Sequence, residues 1–321
     1  MKKILLFAPN FYGYEYHIKK ALINKGYEVI LITNKIDKLR TFIYSLGSEK
    51  FRKDRYEKNL FKLIKKNGKG IDIFIVIKGE YLIPEHLKFI KDLNPNIKNI
   101  MYQWDSMKNH NYEGVINLFD AVLTFDFEDA KRYNLNYLPL FYTNDITSFH
   151  NNEDIDFLLV GMFNPERYKY YLRLKEISSN NNLIFKSYIF CPLSHYITYE
   201  LIRKKLNINS LKDIKFKSLS RSKLISLYKR AKIFIDVCSP NQTGMSMRTI
   251  EAYGMNKKLI TGNYDNIKSD SLINDIDVLP CESSIENIIS FVNKEPNNYK
   301  NKEKLSIDNW IAKLLSMVEP V

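Results

Sequence analysis

The sequence has few cysteines and no long apolar run. Its 321 residues include three cysteines, Cys191, Cys238 and Cys281, which lie far apart and form no pair with metal-ligand spacing. A sparse, odd count is typical of a reducing compartment and argues against a disulfide framework. No stretch approaches the roughly 18 consecutive apolar residues that a membrane-spanning helix needs. We therefore expect a cytoplasmic protein.

The first residues imitate a secretion signal only in part. Residues 3–8 are mostly apolar, but Pro9 and Asn10 follow at once and no cleavage-like segment comes after them. This pattern predicts a buried first strand.

Motifs of several common enzyme classes are also missing. The five histidines belong to no metal-binding constellation, and neither a Ser-His-Asp grouping nor a Gly-x-Gly-x-x-Gly fingerprint stands out. We expect no cofactor and no metal.

Apolar residues are abundant, because 45% of the residues are hydrophobic and 13% are aromatic. A chain of this length and composition has enough apolar residues for the cores of about two domains.

Positive charge is concentrated in one segment. The formal net charge is +13, and residues 38–69 contain eleven Lys or Arg but only three acids. The plainest interpretation is a solvated helix face. The functional alternative is a patch that meets an anionic membrane surface or a phosphate-bearing acceptor. Nucleic acid is not expected as a partner, because the patch belongs to no recognisable nucleic-acid-binding motif.

The first half of the sequence alternates short apolar segments with amphipathic ones. Strands separated by helices of this length predict a parallel sheet, and hence a Rossmann-like domain over residues 1–145. The predicted strands are 3–8, 28–33, 71–77, 99–103, 121–125 and 136–140.

A polar segment, 142–154, interrupts this alternation and predicts a linker. The alternation then restarts, which predicts a second Rossmann-like domain over residues 155–300. Its predicted strands are 156–160, 183–189, 214–216, 232–237 and 258–261. The final residues, 301–321, place their apolar side chains on one helical face. We expect a C-terminal helix there, packed on the second domain or crossing back to the first.

The chemistry is expected just after strands, because open parallel sheets bind ligands at the carboxyl ends of their strands. In the second domain Thr243, Gly244 and Met245 lead into a helix. The amides of its first turn and the helix dipole suit a diphosphate. Arg248 and Glu251 share a face of this helix, and a carboxylate there suits two ribose hydroxyls. The structural alternative is an ordinary helix start with an exposed ion pair.

A second loop follows the first strand of the second domain and contains Gly161 and Arg167. Glycine permits close backbone approach, and arginine is suited to neutralise phosphate charge. A turn with a surface arginine is the structural alternative.

The run from Gly244 to Gly254, with Glu-Ala-Tyr-Gly at its end, resembles the donor-site helix of GT-B glycosyltransferases. That family has two Rossmann-like domains facing a cleft. The chain is most similar to the spore-maturation-type (CgeB-like) branch, through Trp104-Asp105 at a strand end and Leu138-Pro139-Leu140 before the linker. The resemblance implies nucleotide-sugar binding through Glu251 and the amides near Gly244.

One position departs from the wider superfamily. Many retaining members carry a second Glu eight positions before the ribose-binding one, and this position is Thr243 here. The pattern therefore leaves the stereochemical outcome of the reaction open.

Candidates for a general base lie in the first domain. Glu15 and His17 belong to the loop and helix start after the first strand, and Asp105 follows a later strand beside Trp104. Each side chain is suited to take a proton from an acceptor hydroxyl, and the Trp face suits a sugar ring. Helix capping and packing are the structural alternatives for all three.

Together these features predict a metal-independent glycosyltransferase that moves a sugar from a nucleotide-sugar to a hydroxyl of a surface polysaccharide or lipid-linked glycan. The second domain binds the donor, and the first binds the acceptor and touches the inner face of the membrane. Two alternatives share the fold: a sugar-nucleotide 2-epimerase, and a non-catalytic donor-binding or scaffold protein.

Overall fold

A computed structural model describes residues 1–33, 49–146, 153–198, 211–238 and 242–319. The chain forms two compact units. Unit 1 contains Met1–Leu140, Asn241–Gly244 and Ile307–Val321, and unit 2 contains Phe141–Pro240 and Met245–Ser306.

Unit 1 is built on a six-stranded parallel sheet. Its strands are β1 (Lys3–Phe7), β2 (Glu28–Ile32), β3 (Ile73–Ile77), β4 (Lys98–Gln103), β5 (Ala121–Thr124) and β6 (Asn136–Tyr137). Their order across the sheet is β2-β1-β3-β4-β5-β6. All five residues of β3 are buried, as expected for a strand covered on both faces. The order changes direction between β1 and β3, where an open sheet forms its ligand crevice.

Helices cover this sheet because their apolar side chains recur at helical spacing. The helices of this part are α1 (Tyr14–Asn24), α2 (Glu49–Asn67), α3 (Pro84–Leu93) and α4 (Phe127–Arg132). Leu60 and Ile64 of α2 join Leu87 and Ile90 of α3 in the core of unit 1. The opposite face of α2 holds the described part of the basic segment, whereas residues 38–48 lie outside the described residues.

Unit 2 repeats the plan with the strands β7 (Ile155–Met162), β8 (Phe185–Phe190), β9 (Ile214–Lys215), β10 (Ala231–Asp236), β11 (Lys258–Thr261) and β12 (Val278–Pro280). The order is β12-β11-β10-β7-β8-β9, and all neighbours are parallel. Here the order changes direction between β7 and β10. The ligand crevice of this sheet is therefore expected at the ends of these two strands.

Four of the six described helices of unit 2 begin at a side chain that caps them. They are α5 (Pro165–Asn180), α6 (Leu193–Thr198), α7 (Arg221–Arg230), α8 (Met247–Gly254), α9 (Tyr264–Ser269) and α10 (Ile285–Asn293). Asn164, Ser220, Ser246 and Ser284 each accept a hydrogen bond from a backbone N–H of the first turn. These caps fix where the loops from the carboxyl ends of the strands turn into helices.

The last helix, α11 (Ile307–Ser316), belongs to unit 1. Trp310 is buried, and its ring meets Tyr102 of β4 edge to face, with ring centroids 4.7 Å apart. The crossing-back placement of the C-terminal helix is thus confirmed.

The two parallel sheets with flanking helices confirm the predicted α/β fold class. Over the residues that the structure describes, no helix combines the length and apolar character required to cross a bilayer.

One buried histidine gives unit 1 a pH-dependent stability. His86 in α3 accepts from the N–H of Ile83 through Nδ1 (3.2 Å), and its Nε2 lies 3.0 Å from the Glu57 carbonyl. Burial lowers the pKa of His86, because charging the ring is unfavourable there. His86 therefore binds a proton more readily in the unfolded chain than in the folded one. The free energy of unfolding falls as the pH drops below about 6.5.

We expect acidification from pH 7.5 to 5.5 to lower the thermal unfolding midpoint of the wild type more than that of His86→Asn, since Asn cannot titrate. Differential scanning calorimetry at several pH values measures this difference. Equal pH dependence in the two proteins would contradict the assignment.

Candidate functional site

Asp236 ends β10 at the point where the strand order of unit 2 reverses, and it organises the residues around it. Its carboxylate is 2% exposed and accepts from Arg248 Nη1 at 2.7 Å, Ser246 Oγ at 2.6 Å and Thr249 Oγ1 at 2.9 Å. Burial opposes its ionisation, but the Arg248 charge and these hydrogen bonds outweigh burial and lower the pKa of Asp236. The site therefore holds a permanent ion pair.

Arg167 lies beside this pair, at the end of β7. Its Nη2 donates to the carbonyl of Val237 at 2.9 Å, and its Nη1 donates to the carbonyl of Met162. A Cβ on Gly161 would lie 3.0 Å from the guanidinium Cζ, so the absence of a side chain lets Arg167 lie over the backbone. The structure brings Gly161, Arg167 and Arg248 together at one sheet edge, and their role in donor binding stays a prediction.

The charges of this site do not cancel. Arg167 and Arg248 bring two cations, and Asp236 brings one anion. Burial and the neighbouring Arg248 lower the pKa of Arg167 to about 10, so it stays charged at neutral pH. Burial, together with Asp236, raises the pKa of the Cys238 thiol well above its ordinary value, so this thiol stays neutral. One positive charge is left for a ligand.

The start of α8 is closed by side chains of the protein. Ser246 Oγ accepts from the amides of Arg248 (3.1 Å) and Thr249 (3.3 Å). In unit 1, Asp126 accepts from the amides of Thr243 (2.8 Å) and Gly244 (3.1 Å). These four amides thus donate to internal acceptors, and the unmatched charge lies on the arginine side chains.

Gly244 is required by packing in unit 1. A Cβ at this position would lie 2.4 Å from the carbonyl oxygen of Phe125, closer than any side chain allows. Met245, the next residue, is buried in unit 2. The three loop residues predicted to bind the donor are therefore divided between the two units.

Glu251 is 1% exposed and belongs to a network that the sequence did not reveal. Its Oε1 accepts from Arg221 Nη1 at 2.9 Å. Arg221 also donates to both carboxylate oxygens of Asp145 at 3.0 Å and to Thr143 Oγ1 at 2.7 Å. One guanidinium thus joins α8 to the first residues of unit 2.

The predicted base candidates lie at the carboxyl edge of the sheet of unit 1. Glu15 is fully buried, and its Oε2 accepts from the N–H of Phe11 at 3.3 Å. His17 lies in the first turns of α1 and is half-buried. The exposed Phe11 ring and the Trp104 ring lie 6.2 Å apart, so Glu15 and Trp104 flank one loop.

Asp105 forms an ion pair with Lys78, which follows β3. The Lys78 Nζ lies 2.8 Å from Asp105 Oδ2 and 3.8 Å from Glu80 Oε2. Burial works against the Lys78 charge, yet Asp105 and Glu80 raise its pKa overall. Asp105 is therefore paired with a Lys78 side chain that stays protonated.

Asp-x-Asp occurs twice: Asp154 and Asp156 lie on either side of the first residue of β7, and Asp275 and Asp277 precede β12. They lie at the amino edge of the sheet of unit 2, away from the Asp236 edge. Their carboxylates pair with protein groups: Asp154 with Arg230, Asp156 with Lys232 at 2.8 Å, Asp275 with Tyr253 at 2.8 Å, and Asp277 with Lys294.

No known protein family matches the sequence, and no curated protein does. Solved structures do match. A glycosyltransferase from Rickettsia africae superposes with a TM-score of 0.55 at 14% identity and covers 100% of this chain and 99% of that one. MurG from Acinetobacter baumannii gives 0.52 at 9% identity, with 100% of both chains covered. The fold is that of the GT-B glycosyltransferases.

The same fold serves other chemistry. A protein from Listeria monocytogenes described as a UDP-N-acetylglucosamine 2-epimerase superposes with a TM-score of 0.55 at 10% identity and covers 99% of this chain and 96% of that one. At such identities the likeness concerns the fold, and the activity has to be argued from the site. The resemblance to the CgeB-like branch stays a prediction.

Asp236 is the functional residue that the sequence analysis missed. The signal was present, because Asp236 is the last residue of a predicted apolar strand and precedes the candidate donor loop. Asp126 and Arg221 gave no comparable signal, since their partners are distant in sequence.

We expect Asp236→Asn to lower the free energy of unfolding by about 3–5 kcal/mol, because it leaves the Arg248 cation buried without its anion. Urea denaturation measures this change. Asp154→Asn is the matched control, since its pair with Arg230 is exposed to solvent and such surface pairs contribute little to stability. Equal effects of the two substitutions would show that the Asp236 pair is not structurally important.

Proposed function

We propose that the protein is a glycosyltransferase that moves a sugar from a nucleotide-sugar to a hydroxyl of a surface polysaccharide or lipid-linked glycan. Unit 2 binds the donor and unit 1 binds the acceptor. Support comes from the fold, from the position of the charged site at the switch point of the sheet of unit 2, and from the aromatic and acidic residues at the edge of the sheet of unit 1.

The unmatched positive charge at the end of β7 and β10 is the observation that carries this proposal. A nucleoside diphosphate is an anion that bidentate guanidinium groups recognise well. Among the described residues, the Nε–H groups of Arg167 and Arg248 have no hydrogen-bond acceptor. Gly161, which has no side chain, makes room for the Arg167 guanidinium. We assign the diphosphate to these two arginines, with Thr243, Gly244 and Met245 as the adjoining donor loop.

Such a site aids transfer because it stabilises the leaving group, the nucleoside diphosphate. As the bond between the sugar and the diphosphate breaks, negative charge develops on the diphosphate, and fixed cations stabilise that charge without reorganisation. The ribose is assigned to Glu251, whose carboxylate Arg221 holds in a fixed orientation. No metal ion is required in this scheme.

The acceptor is assigned to the carboxyl edge of the sheet of unit 1. Phe11 and Trp104 offer apolar ring faces for a sugar, and the Lys78–Asp105 pair beside them offers hydrogen-bonding groups. Glu15, His17 and Asp105 remain the base candidates that the sequence predicted.

We further propose that α2 meets an anionic membrane surface. Arg55, Lys58, Lys62 and Lys65 are exposed and recur at helical spacing on one face. Each basic residue near an anionic surface adds about 1 kcal/mol of attraction. This location would bring unit 1 to lipid-linked acceptors at the inner face of the membrane.

The donor is tested by thermal shift with UDP, GDP, dTDP, CDP, ADP and CMP sugars. We expect one of them to raise the unfolding midpoint of the wild type through mass action. We expect Arg167→Gln to weaken its binding about 10- to 100-fold, because a charge-assisted hydrogen bond contributes about 1.5–3 kcal/mol. Isothermal titration calorimetry gives the dissociation constants.

Arg230→Gln is the control, because Arg230 pairs with Asp154 at the amino edge of the same sheet. Equal affinity of the wild type and Arg167→Gln, or no response to any nucleotide-sugar, would contradict the donor assignment. Conversion of the bound nucleotide-sugar without any acceptor would favour a 2-epimerase. Binding without any turnover would favour a scaffold protein.

The membrane assignment is tested by vesicle sedimentation. Replacing Lys58, Lys62 and Lys65 with Glu should weaken binding to phosphatidylglycerol vesicles at least 100-fold, since about 3 kcal/mol is lost. Replacing the exposed lysines Lys169, Lys186 and Lys217 of unit 2 is the matched control. Loss of binding in the control alone, or binding to phosphatidylcholine equally well, would argue against α2 as the contact.

A further inference from the structure

His110 lies at the carboxyl edge of the sheet of unit 1, close to Asp105, and was not a base candidate in the sequence analysis. It follows β4, and its backbone N–H donates to the Ser106 carbonyl at 2.9 Å. The imidazole is half-buried. Lys78, Glu80 and Asp105 supply the charges around the ring, and the Tyr112 ring lies 6.3 Å away.

The tautomer of His110 follows from its hydrogen bond. Its Nε2 lies 3.1 Å from the Lys78 carbonyl oxygen, which also accepts from Gln103 Nε2 at 2.8 Å. A carbonyl oxygen only accepts, so Nε2 of the neutral ring carries the proton and Nδ1 carries the lone pair. No described residue bonds to Nδ1, and the ring orientation is fixed from the opposite side.

The turn that supplies this carbonyl has an uncommon backbone. Lys78 has a φ of 66° and Tyr81 has a φ of 65°, although neither is glycine. Bulky side chains rarely adopt this conformation, and such strain concentrates at functional sites. The Lys78 carbonyl is therefore held in place by a strained turn and by two donors.

The surroundings keep the ring neutral. Burial lowers the pKa of His110, and the Lys78 ammonium group lowers it further, while Glu80 and Asp105 act in the opposite direction. At neutral pH the basic form of the ring is the main one.

We propose that His110 is the general base of the transfer, accepting the proton of the attacking acceptor hydroxyl on Nδ1. The assignment rests on the proposed function. The acceptor O–H bond breaks and its proton passes to Nδ1 as the oxygen forms a bond to the anomeric carbon. The bond from that carbon to the diphosphate breaks, and its electron pair leaves with the nucleoside diphosphate. The imidazolium then releases its proton to water.

His110 suits this role better than the earlier candidates. Asp105 is paired with the Lys78 cation at 2.8 Å. Glu15 is fully buried, and its Oε2 already accepts from the N–H of Phe11 at 3.3 Å. His110 combines an orienting hydrogen bond on one ring nitrogen with a lone pair on the other, which is the arrangement typical of a base.

The test is the variant His110→Gln, because the Gln amide N–H can keep the hydrogen bond to the Lys78 carbonyl while the basic nitrogen is lost. The substrate is the nucleotide-sugar with the largest thermal shift, with glycan extract of the source cells as acceptor. We expect kcat to fall about 100- to 10,000-fold while the donor dissociation constant is unchanged. Release of nucleoside diphosphate measures the rate.

The control is His195→Gln, the same substitution at an exposed histidine of unit 2. In the pH–rate profile, kcat of the wild type and of the control should fall at acidic pH as His110 becomes protonated, with a midpoint below pH 6.5. This acidic limb of the profile should be absent in His110→Gln. A kcat within twofold of wild type, or an unchanged acidic limb in His110→Gln, would overturn the assignment. If the wild type itself releases no nucleoside diphosphate, the proposed function fails and the assignment fails with it.

A second variant separates catalysis from folding. Lys78→Met keeps the carbonyl but removes the ammonium group beside the ring, so the midpoint of the acidic limb should move to higher pH. A merely structural His110 would give the same midpoint in both proteins. An unchanged midpoint in a folded Lys78→Met would contradict the proposed role of His110.

Discussion

The buried ion pair between Asp236 and Arg248 is the interaction on which the site of unit 2 depends. It forms where the strand order reverses, and it fixes the start of α8 through Ser246 and Thr249. Removing either partner of a buried ion pair destabilises the folded protein, because the other charge is left buried and unpaired. Because Asp236 is matched by Arg248, the nearby Arg167 is left as the surplus cation. The proposed binding of an anion thus rests on one unbalanced charge at this sheet edge.

The two sheets also differ in the balance of charge at their carboxyl edges. Around Asp236 in unit 2, Arg167 and Arg248 bring two cations against one carboxylate. In unit 1 the Lys78 cation is flanked by Asp105 and Glu80 and lies beside a neutral His110. The first edge suits an anionic leaving group, and the second suits removal of a proton from a hydroxyl. A transfer reaction needs both properties, and parallel sheets place both at their carboxyl ends.

The sequence predicted the fold well, because buried parallel strands appear as apolar runs such as Ile73–Ile77 that need no partner to be recognised. It missed β12, which is three residues long and ends at Pro280. The site was predicted in part: Arg167 and Arg248 follow strands, as local patterns show. Asp126, Arg221 and His110 act through partners distant in sequence, or through backbone carbonyls such as that of Lys78. Such contacts depend on tertiary structure and leave no local pattern.

The most direct measurement is a crystal structure of the protein with the nucleoside diphosphate of its donor. We expect the diphosphate oxygens to lie about 2.7–3.0 Å from guanidinium nitrogens of Arg167 and Arg248, with Asp236 still bonded to Arg248. A diphosphate bound elsewhere, with Arg167 contacting only the carbonyls of Met162 and Val237, would contradict the account.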